Sequence, residues 1–140
     1  MRSLVCLVLL ACHQDAPAKP VNVHTQLTAT ITLARADYAK DADIEATVDL
    51  ANLTPNPVEI PAQSLESAIL LLEVTDKSGK KIPTMPPPTP REDKIKLAPN
   101  EHRTARVFLN VFSPPLASGD YIVGPAPAIA TGNPVTFKIR

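Results

Sequence analysis

The sequence predicts an all-β domain, folded as an antiparallel sandwich of seven or eight short strands. The first observation is that short segments alternate apolar and polar residues, whereas no segment keeps the 3.6-residue helical period for more than one turn. The second is that proline accounts for 16 of the 140 residues and glycine for only 4. Because proline has a fixed φ and no N–H, this composition disfavours long helices and favours strands joined by stiff loops.

The alternating segments define the predicted strands in order along the chain. Residues 69–74 are apolar almost throughout and fit either a buried strand or a short helix; their length and the Asp-Lys-Ser-Gly turn after them favour the strand. Residues 81–82 form a weak strand, and the polar residues 35–43 form a connection. The eight clearer predicted strands are residues 27–33, 44–50, 58–60, 69–74, 95–97, 103–111, 121–123 and 135–139.

The charge balance excludes some classes of partner. The chain has 14 Lys and Arg against 14 Asp and Glu, so its formal net charge is zero. Nucleic acids and anionic membrane surfaces attract basic proteins, and neither is therefore an expected partner. A length of 140 residues with 44% hydrophobic residues corresponds to one modest domain.

The amino terminus resembles a bacterial lipoprotein signal. Arg2 precedes seven consecutive apolar residues at 4–10, far fewer than the roughly 20 of a transmembrane helix but compatible with a signal sequence. Residues 9–12 read Leu-Leu-Ala-Cys and resemble the lipobox, whose cysteine is diacylated and becomes the first mature residue. We therefore expect a signal peptide at residues 1–11 and a lipid on Cys12. The alternative is that residues 4–11 form a buried first strand of a cytosolic protein.

This signal predicts a domain order and a location. Residues 12–23 are polar and proline-bearing and form a tether, and residues 24–140 form the sandwich domain. The protein is then held to a membrane by its amino-terminal lipid, on the periplasmic or cell-surface face of the envelope. Cys6 leaves with the signal and Cys12 is acylated, so the mature chain has no disulfide and depends on packing alone.

Several segments of the body resemble bacterial immunoglobulin-like sandwich domains. A strand ends in Asn52, a hairpin carries an Asp-x-x-Gly turn, a Pro-Asn-Glu turn precedes a long strand, and Gly-x-Tyr opens a late one. The pattern is most similar to the BsuPI-type domain, named after an intracellular proteinase inhibitor. The resemblance implies an immunoglobulin-like β-sandwich and offers proteinase inhibition as one activity. The segments that carry it are residues 48–52, 57–60, 70–79, 97–101 and 119–123.

The most unusual segment is residues 83–90, which we call the proline segment. Its prolines have the P-x-x-P spacing that places two rings on one edge of a polyproline helix, so it is a candidate contact site for a partner protein. The alternative is a stiff loop that guards a sheet edge. The candidate contact residues are Pro83, Met85, Pro86, Pro87, Pro88 and Pro90.

Other polar residues offer weaker signals. Asp37, Asp41 and Asp43 are close in sequence, but the stretch has no glycine for a calcium loop, which favours a solvated turn. The three histidines lack the spacing of a metal pair. Tyr121 follows Gly-Asp as in a tyrosine corner, a structural role. No metal site and no cofactor are therefore expected.

Taken together, these patterns predict a non-catalytic binding module of the cell envelope, anchored by lipid and docking another envelope protein. No nucleophile elbow, zinc-protease motif or phosphate-binding glycine loop occurs in the sequence. Two alternatives remain open, a proteinase inhibitor of the BsuPI type and a structural accessory protein of the envelope. The ligand and the oligomeric state are not specified by the sequence.

Overall fold

The structure of the chain is a computed structural model that describes residues 26–83, 89, 91–109, 112 and 115–140. Within these residues it contains nine strands, one turn of α-helix and one short 3-10 helix. The helical segments are α1 (Gln63–Glu66) and the 3-10 helix Ala68–Leu71. The strands are β1 (Leu27–Leu33), β2 (Asp37–Tyr38), β3 (Glu45–Asn52), β4 (Val58–Pro61), β5 (Leu72–Asp76), β6 (Lys94–Leu97), β7 (His102–Phe108), β8 (Gly119–Pro125) and β9 (Val135–Ile139).

Two sheets form the layers of the molecule. The first sheet has the strand order β1-β3-β7 and is antiparallel throughout. The second sheet has the order β2-β9-β8-β5, in which only the short pair β2–β9 is parallel. Strands β4 and β6 form a separate antiparallel pair. The predicted immunoglobulin-like antiparallel sandwich is confirmed.

The core lies between the inward faces of the two sheets. Alternate residues of each strand point inward, as the period of two predicts. The first sheet contributes mainly aliphatic side chains, whereas the second contributes the aromatic ones. Buried side chains of the two sheets include Leu27, Ile31, Val48, Leu50, Val74, Tyr121, Val123, Phe137 and Ile139.

The apolar run at residues 69–74 differs from its prediction. Only its second half is a strand, β5, because the first half belongs to the 3-10 helix, which buries Ala68 and Leu71. Helix α1 just before it was not predicted either. A short apolar run has no periodicity that distinguishes a strand from a helical turn, so packing on the core decides. The weak strand predicted at residues 81–82 is not formed, and Lys81 makes only an isolated β-bridge with Thr75.

The connection predicted at residues 35–43 is more than a solvated turn. It joins the paired strands β1 and β3, but its middle crosses to the other layer and forms β2 against β9. Tyr38 is buried there, its ring meeting that of Phe137 edge-on with centroids 6.3 Å apart. The described residues therefore contain nine strands, and β2 is the additional one. The sequence did not predict β2, because two residues are too few to show an alternation of apolar and polar side chains.

The predicted tyrosine corner is confirmed. The hydroxyl of Tyr121 donates a hydrogen bond of 2.7 Å to the carbonyl oxygen of Ala117, four residues upstream. Its ring stacks on Phe137 with centroids 5.5 Å apart. The contact fixes the start of β8 relative to β9, in the role the sequence predicts.

The open edge of β1 is partly covered by the loop before β9. The N–H of Ala29 donates to the carbonyl of Thr131 at 2.8 Å, and the N–H of Thr131 donates to the carbonyl of Leu27 at 3.0 Å. Gly132 lies so close that a Cβ atom there would be 2.1 Å from the carbonyl oxygen of Ala29. Only glycine allows the loop to approach the edge this closely.

A completely buried amide, that of Asn52, ties three chain segments together at one end of the sandwich. Its Nδ2 donates to the carbonyl oxygens of Asn56, Leu97 and Ala98 at 2.8, 3.0 and 3.2 Å. Its Oδ1 accepts from the N–H and the hydroxyl of Thr54 at 3.0 and 2.8 Å. Every polar atom of the side chain is thus satisfied, as a buried polar group requires.

The backbone of Asn52 extends the same junction. Its N–H donates to the carbonyl of Glu101 at 3.0 Å, and its carbonyl accepts from the N–H of Asn100 at 2.7 Å. Asn100 has a φ of 62°, a conformation that asparagine tolerates better than most residues. The carboxylate of Glu101 accepts from the N–H of Ala98 at 2.7 Å and closes the turn between β6 and β7.

We predict that removing the Asn52 amide destabilises the domain strongly. Asn52→Ala removes a donor from the carbonyls of Asn56, Leu97 and Ala98, of which that of Leu97 belongs to a buried residue, and is expected to lower the free energy of unfolding by about 2–4 kcal/mol. Asn52→Asp is expected to cost at least as much, because it turns a carboxylate oxygen toward those carbonyls. Urea denaturation measures both. The exposed Asn56 is the matched control, since Asn56→Ala should change stability by less than about 0.5 kcal/mol. An equally small effect at Asn52 would contradict this prediction.

Candidate functional site

The candidate site is the proline segment, and the structure describes its two flanks. Pro83 and Thr89 are exposed. The other predicted contact residues, Met85, Pro86, Pro87, Pro88 and Pro90, lie outside the described residues, as does the predicted lipidation site Cys12.

The flank before the segment is hydrogen-bonded along β5. The N–H of Ile82 donates to the carbonyl of Val74 at 2.8 Å, and the N–H of Asp76 donates to the carbonyl of Lys80 at 2.9 Å. This pairing continues a tight turn whose Gly79 has a φ of 84°, in the left-handed region that favours glycine. The chain is thus held against the second sheet up to the residue before Pro83.

The carboxylate of Asp76 organises that turn. Its Oδ1 accepts three hydrogen bonds, from the hydroxyl and the N–H of Ser78 at 2.6 and 2.8 Å and from the N–H of Lys80 at 3.0 Å. The bond from the Ser78 hydroxyl, followed by that from the Lys80 N–H, lowers the pKa of Asp76 below its ordinary value. The turn is the Asp-x-x-Gly hairpin turn that the sequence indicates.

The end of the segment at Thr89 and the flank after it are attached to the chain around α1 and β4. The side-chain amide of Gln63 donates to the carbonyl oxygen of Thr89 at 3.1 Å. The N–H of Ala62 donates to the carbonyl of Asp93 at 2.9 Å, next to the pair formed by Pro61 of β4 and Lys94 of β6. The chain is therefore fixed again immediately after the segment.

An ion-pair cluster, which we call the arginine clamp, strengthens this second flank. Arg91 binds the carboxylate of Glu66 on α1 with both terminal nitrogens, Nη1 to Oε2 at 2.5 Å and Nη2 to Oε1 at 3.2 Å. Its Nε donates to Oδ1 of Asp93 at 2.9 Å, and Nη2 also pairs with Oδ2. The Arg91 guanidinium lowers the pKa of Asp93, while the hydrogen bonds that Arg91 donates to Asp93 and Glu66 raise the pKa of Arg91. Bidentate geometry makes this a directional contact.

The sequence contains little that could have revealed the arginine clamp. Arg91 and Asp93 are two positions apart, but their partner Glu66 is 25 residues earlier, on a helix that was not predicted. The three members of the clamp are common charged residues, and their positions in the sequence form no recognisable motif. The clamp exists because the β4–β6 pairing brings α1 beside the chain that leaves the proline segment.

The other candidate residues are placed apart or have structural partners. Asp37 pairs with Arg140 at 3.2 Å. Across the described residues, no group of three His, Cys, Asp or Glu side chains is arranged to hold a metal ion. His102 hydrogen-bonds Asp49 at 2.8 Å. In the same part of the chain, no helix has the length and apolar character needed to cross a membrane.

Comparison with known proteins identifies the fold alone. No family model and no curated protein matches the chain. A structure of alkylpurine DNA glycosylase from Pseudomonas fluorescens, bound to DNA with an abasic-site analog, has a TM-score of 0.50 at 11% identity, covering 83% of this chain and 31% of the glycosylase. A β-glucosidase from Erythrobacter marinus has a TM-score of 0.50 at 12% identity, covering 83% of this chain and 16% of the glucosidase. The chain thus spans less than a third of either enzyme.

We predict that Arg91→Ala raises the pKa of Asp93 toward its ordinary value of 3.8, because the carboxylate loses its main donor. A carboxylate whose folded-state pKa is lowered contributes stability above the unfolded-state pKa, and this stability is lost as the pH falls through the lowered value. The stability difference between wild type and variant should therefore be present at neutral pH and narrow below a pH of about 3.8.

Carboxyl NMR titration measures the pKa of Asp93, and urea denaturation at the two pH extremes measures the stability difference. Arg103→Ala is the matched control, because Arg103 pairs with Glu101 and has no contact with the arginine clamp. An Asp93 titration curve that is the same in wild type and Arg91→Ala would contradict the arginine clamp.

Proposed function

We propose that this protein is a non-catalytic binding module of the cell envelope, anchored by a lipid on Cys12, whose proline segment docks a partner protein. The single observation that carries the proposal is that both flanks of the segment are bonded to the sandwich. The first flank is held by Ile82 on Val74, and the second by Thr89 on Gln63 together with the arginine clamp.

Fixed flanks favour binding for a thermodynamic reason. A loop that is ordered before it meets its partner loses less conformational entropy on association. Proline contributes to the same effect, because its φ is already restricted in the free protein. The hydrogen bonds at Ile82 and Thr89 leave only a short chain between the two attachment points. This arrangement suits recognition of an extended segment by a protein groove.

The anchor and the location belong to the same proposal. They depend on the signal at residues 1–11, the lipobox cysteine Cys12 and the tether at residues 12–23. A lipid at the start of the tether would keep the sandwich at the membrane surface, where a modest affinity suffices because the partner is concentrated in the same envelope.

The experiment is crosslinking in cells with the tagged protein, followed by identification of the attached proteins. We expect a discrete partner with wild type and its loss in the triple variant Pro86→Ala, Pro87→Ala, Pro88→Ala, while the thermal unfolding of the purified domain stays unchanged. Cys12→Ser should lose both acylation and capture. Pro127→Ala is the matched control, an exposed proline elsewhere, and should keep the partner. Capture that persists in the triple variant would refute the proline segment as contact site.

A second candidate function is inhibition of a proteinase, as in the BsuPI-type proteins that the sequence resembles. The observation in its favour is the same pair of fixed flanks, since an inhibitory loop must be held firmly in the protease cleft. We expect an inhibitor to block a subtilisin-like or trypsin-like enzyme and Arg91→Ala to weaken that inhibition. Unchanged activity of both enzymes at high micromolar concentration of the mature domain would refute inhibition. If crosslinking also captures no partner, the remaining alternative is a structural accessory protein.

A further inference from the structure

The outer face of the first sheet carries an array of hydroxyl groups. By strand register, Thr30 lies opposite Asp49, which lies opposite Thr104, and the next row toward Phe108 contains Thr32, Thr47 and Arg106. Thr30, Thr32, Thr104 and Arg106 are exposed, and Thr28, Thr47 and Asp49 are half-buried. We call this surface the threonine face, formed by Thr28, Thr30, Thr32, Thr47, Asp49 and Thr104.

The charges on and beside the threonine face are paired with one another. Oδ2 of Asp49 lies 2.8 Å from Nδ1 of His102, and its Oδ1 accepts from the Thr104 hydroxyl at 3.3 Å. Arg106 pairs with Glu45 at 3.5 Å. One arginine against two carboxylates gives a formal charge of −1, or zero with a protonated histidine. Such a surface does not attract a polyanion such as nucleic acid or a sulfated glycan.

One aromatic ring borders the array. Phe108, opposite Glu45 in the register, is 48% exposed at the end of β7. A single exposed ring among hydroxyls is a poor centre for a protein interface, which requires a cluster of large buried anchors. It is a suitable platform for the C–H face of a sugar ring, whose hydroxyls can exchange hydrogen bonds with threonine and carboxylate groups.

We infer that the threonine face, with Phe108 at its edge, binds an uncharged polysaccharide. Three strands give a width of about 10 Å and the rows from Thr28 to Thr32 give a length of about 13 Å, enough for a short run of sugar rings. The threonine hydroxyls can donate hydrogen bonds to sugar hydroxyls and accept them. The charged side chains of the face are paired with one another, which suits a ligand that carries no charge. This inference goes beyond the proposed function and does not use the proline segment.

The test is affinity electrophoresis of the full-length protein in detergent, through gels containing dextran, amylopectin, laminarin or glucomannan. We expect retardation by at least one of them. The double variant Thr30→Val, Thr32→Val keeps the β-branched shape and removes only hydroxyls, and it should weaken binding about tenfold or more, as should Phe108→Ala.

Two matched controls distinguish the face from a general surface effect. Thr136→Val makes the same change on an exposed residue of β9, on the other sheet. Leu53→Ala removes the other large apolar side chain that is exposed in the described part of the chain, at 61%. Both should bind within about twofold of wild type. The triple proline variant should also bind normally, so that failure of the proposed function and failure of this inference are distinguishable.

Three results would overturn the inference. The first is that none of the four neutral polysaccharides retards the protein. The second is that the threonine-face variants bind as tightly as Thr136→Val. The third is that heparin, a sulfated glycan, retards the protein more than the neutral polymers do, since that would show attraction to negative charge.

Discussion

The buried amide of Asn52 is the constraint on which the arrangement of this sandwich most depends. The described residues contain no cysteine and the chain has no tryptophan, so neither a disulfide nor a large ring fixes one sheet against the other. Hydrophobic contact between two flat faces is nondirectional and tolerates sliding. A buried polar side chain with all its hydrogen bonds made does not tolerate sliding, because every alternative register leaves buried donors or acceptors unpaired. Asn52 therefore specifies how the turns after β3 and β6 meet.

Side chains that form several hydrogen bonds also occur on the surface, where they fix the conformation of the chain on both sides of the proline segment. Asp76 organises the turn on one side and Arg91 binds two carboxylates on the other. Ion pairs this exposed contribute little to overall stability. Their importance is geometric, because a bidentate guanidinium orients the chain that it holds. The stability of the sandwich and the attachment of the chain beside the proline segment thus depend on different residues.

Two distinct surfaces emerge from this architecture, and they suit different chemistry. The proline segment lies in the chain between β5 and β6 and is the proposed contact for a protein groove, whereas the threonine face is the outer side of one sheet and carries hydroxyl groups. Neither surface has an excess of positive charge, in agreement with the even balance of 14 basic and 14 acidic residues. Partners recognised by shape and hydrogen bonding suit this protein better than partners recruited by long-range attraction.

Strands with one buried face were predictable from sequence, because inward and outward residues alternate along the strand as apolar and polar side chains. The clear cases are β1, β3, β7 and β9. The tyrosine corner and the Asp-x-x-Gly turn were predictable for a similar reason, since each is complete within a few residues. The two-residue strand β2, the 3-10 helix, the junction at Asn52 and the arginine clamp were decided only by tertiary structure. Each depends on a contact between residues far apart in the chain, which no local pattern records.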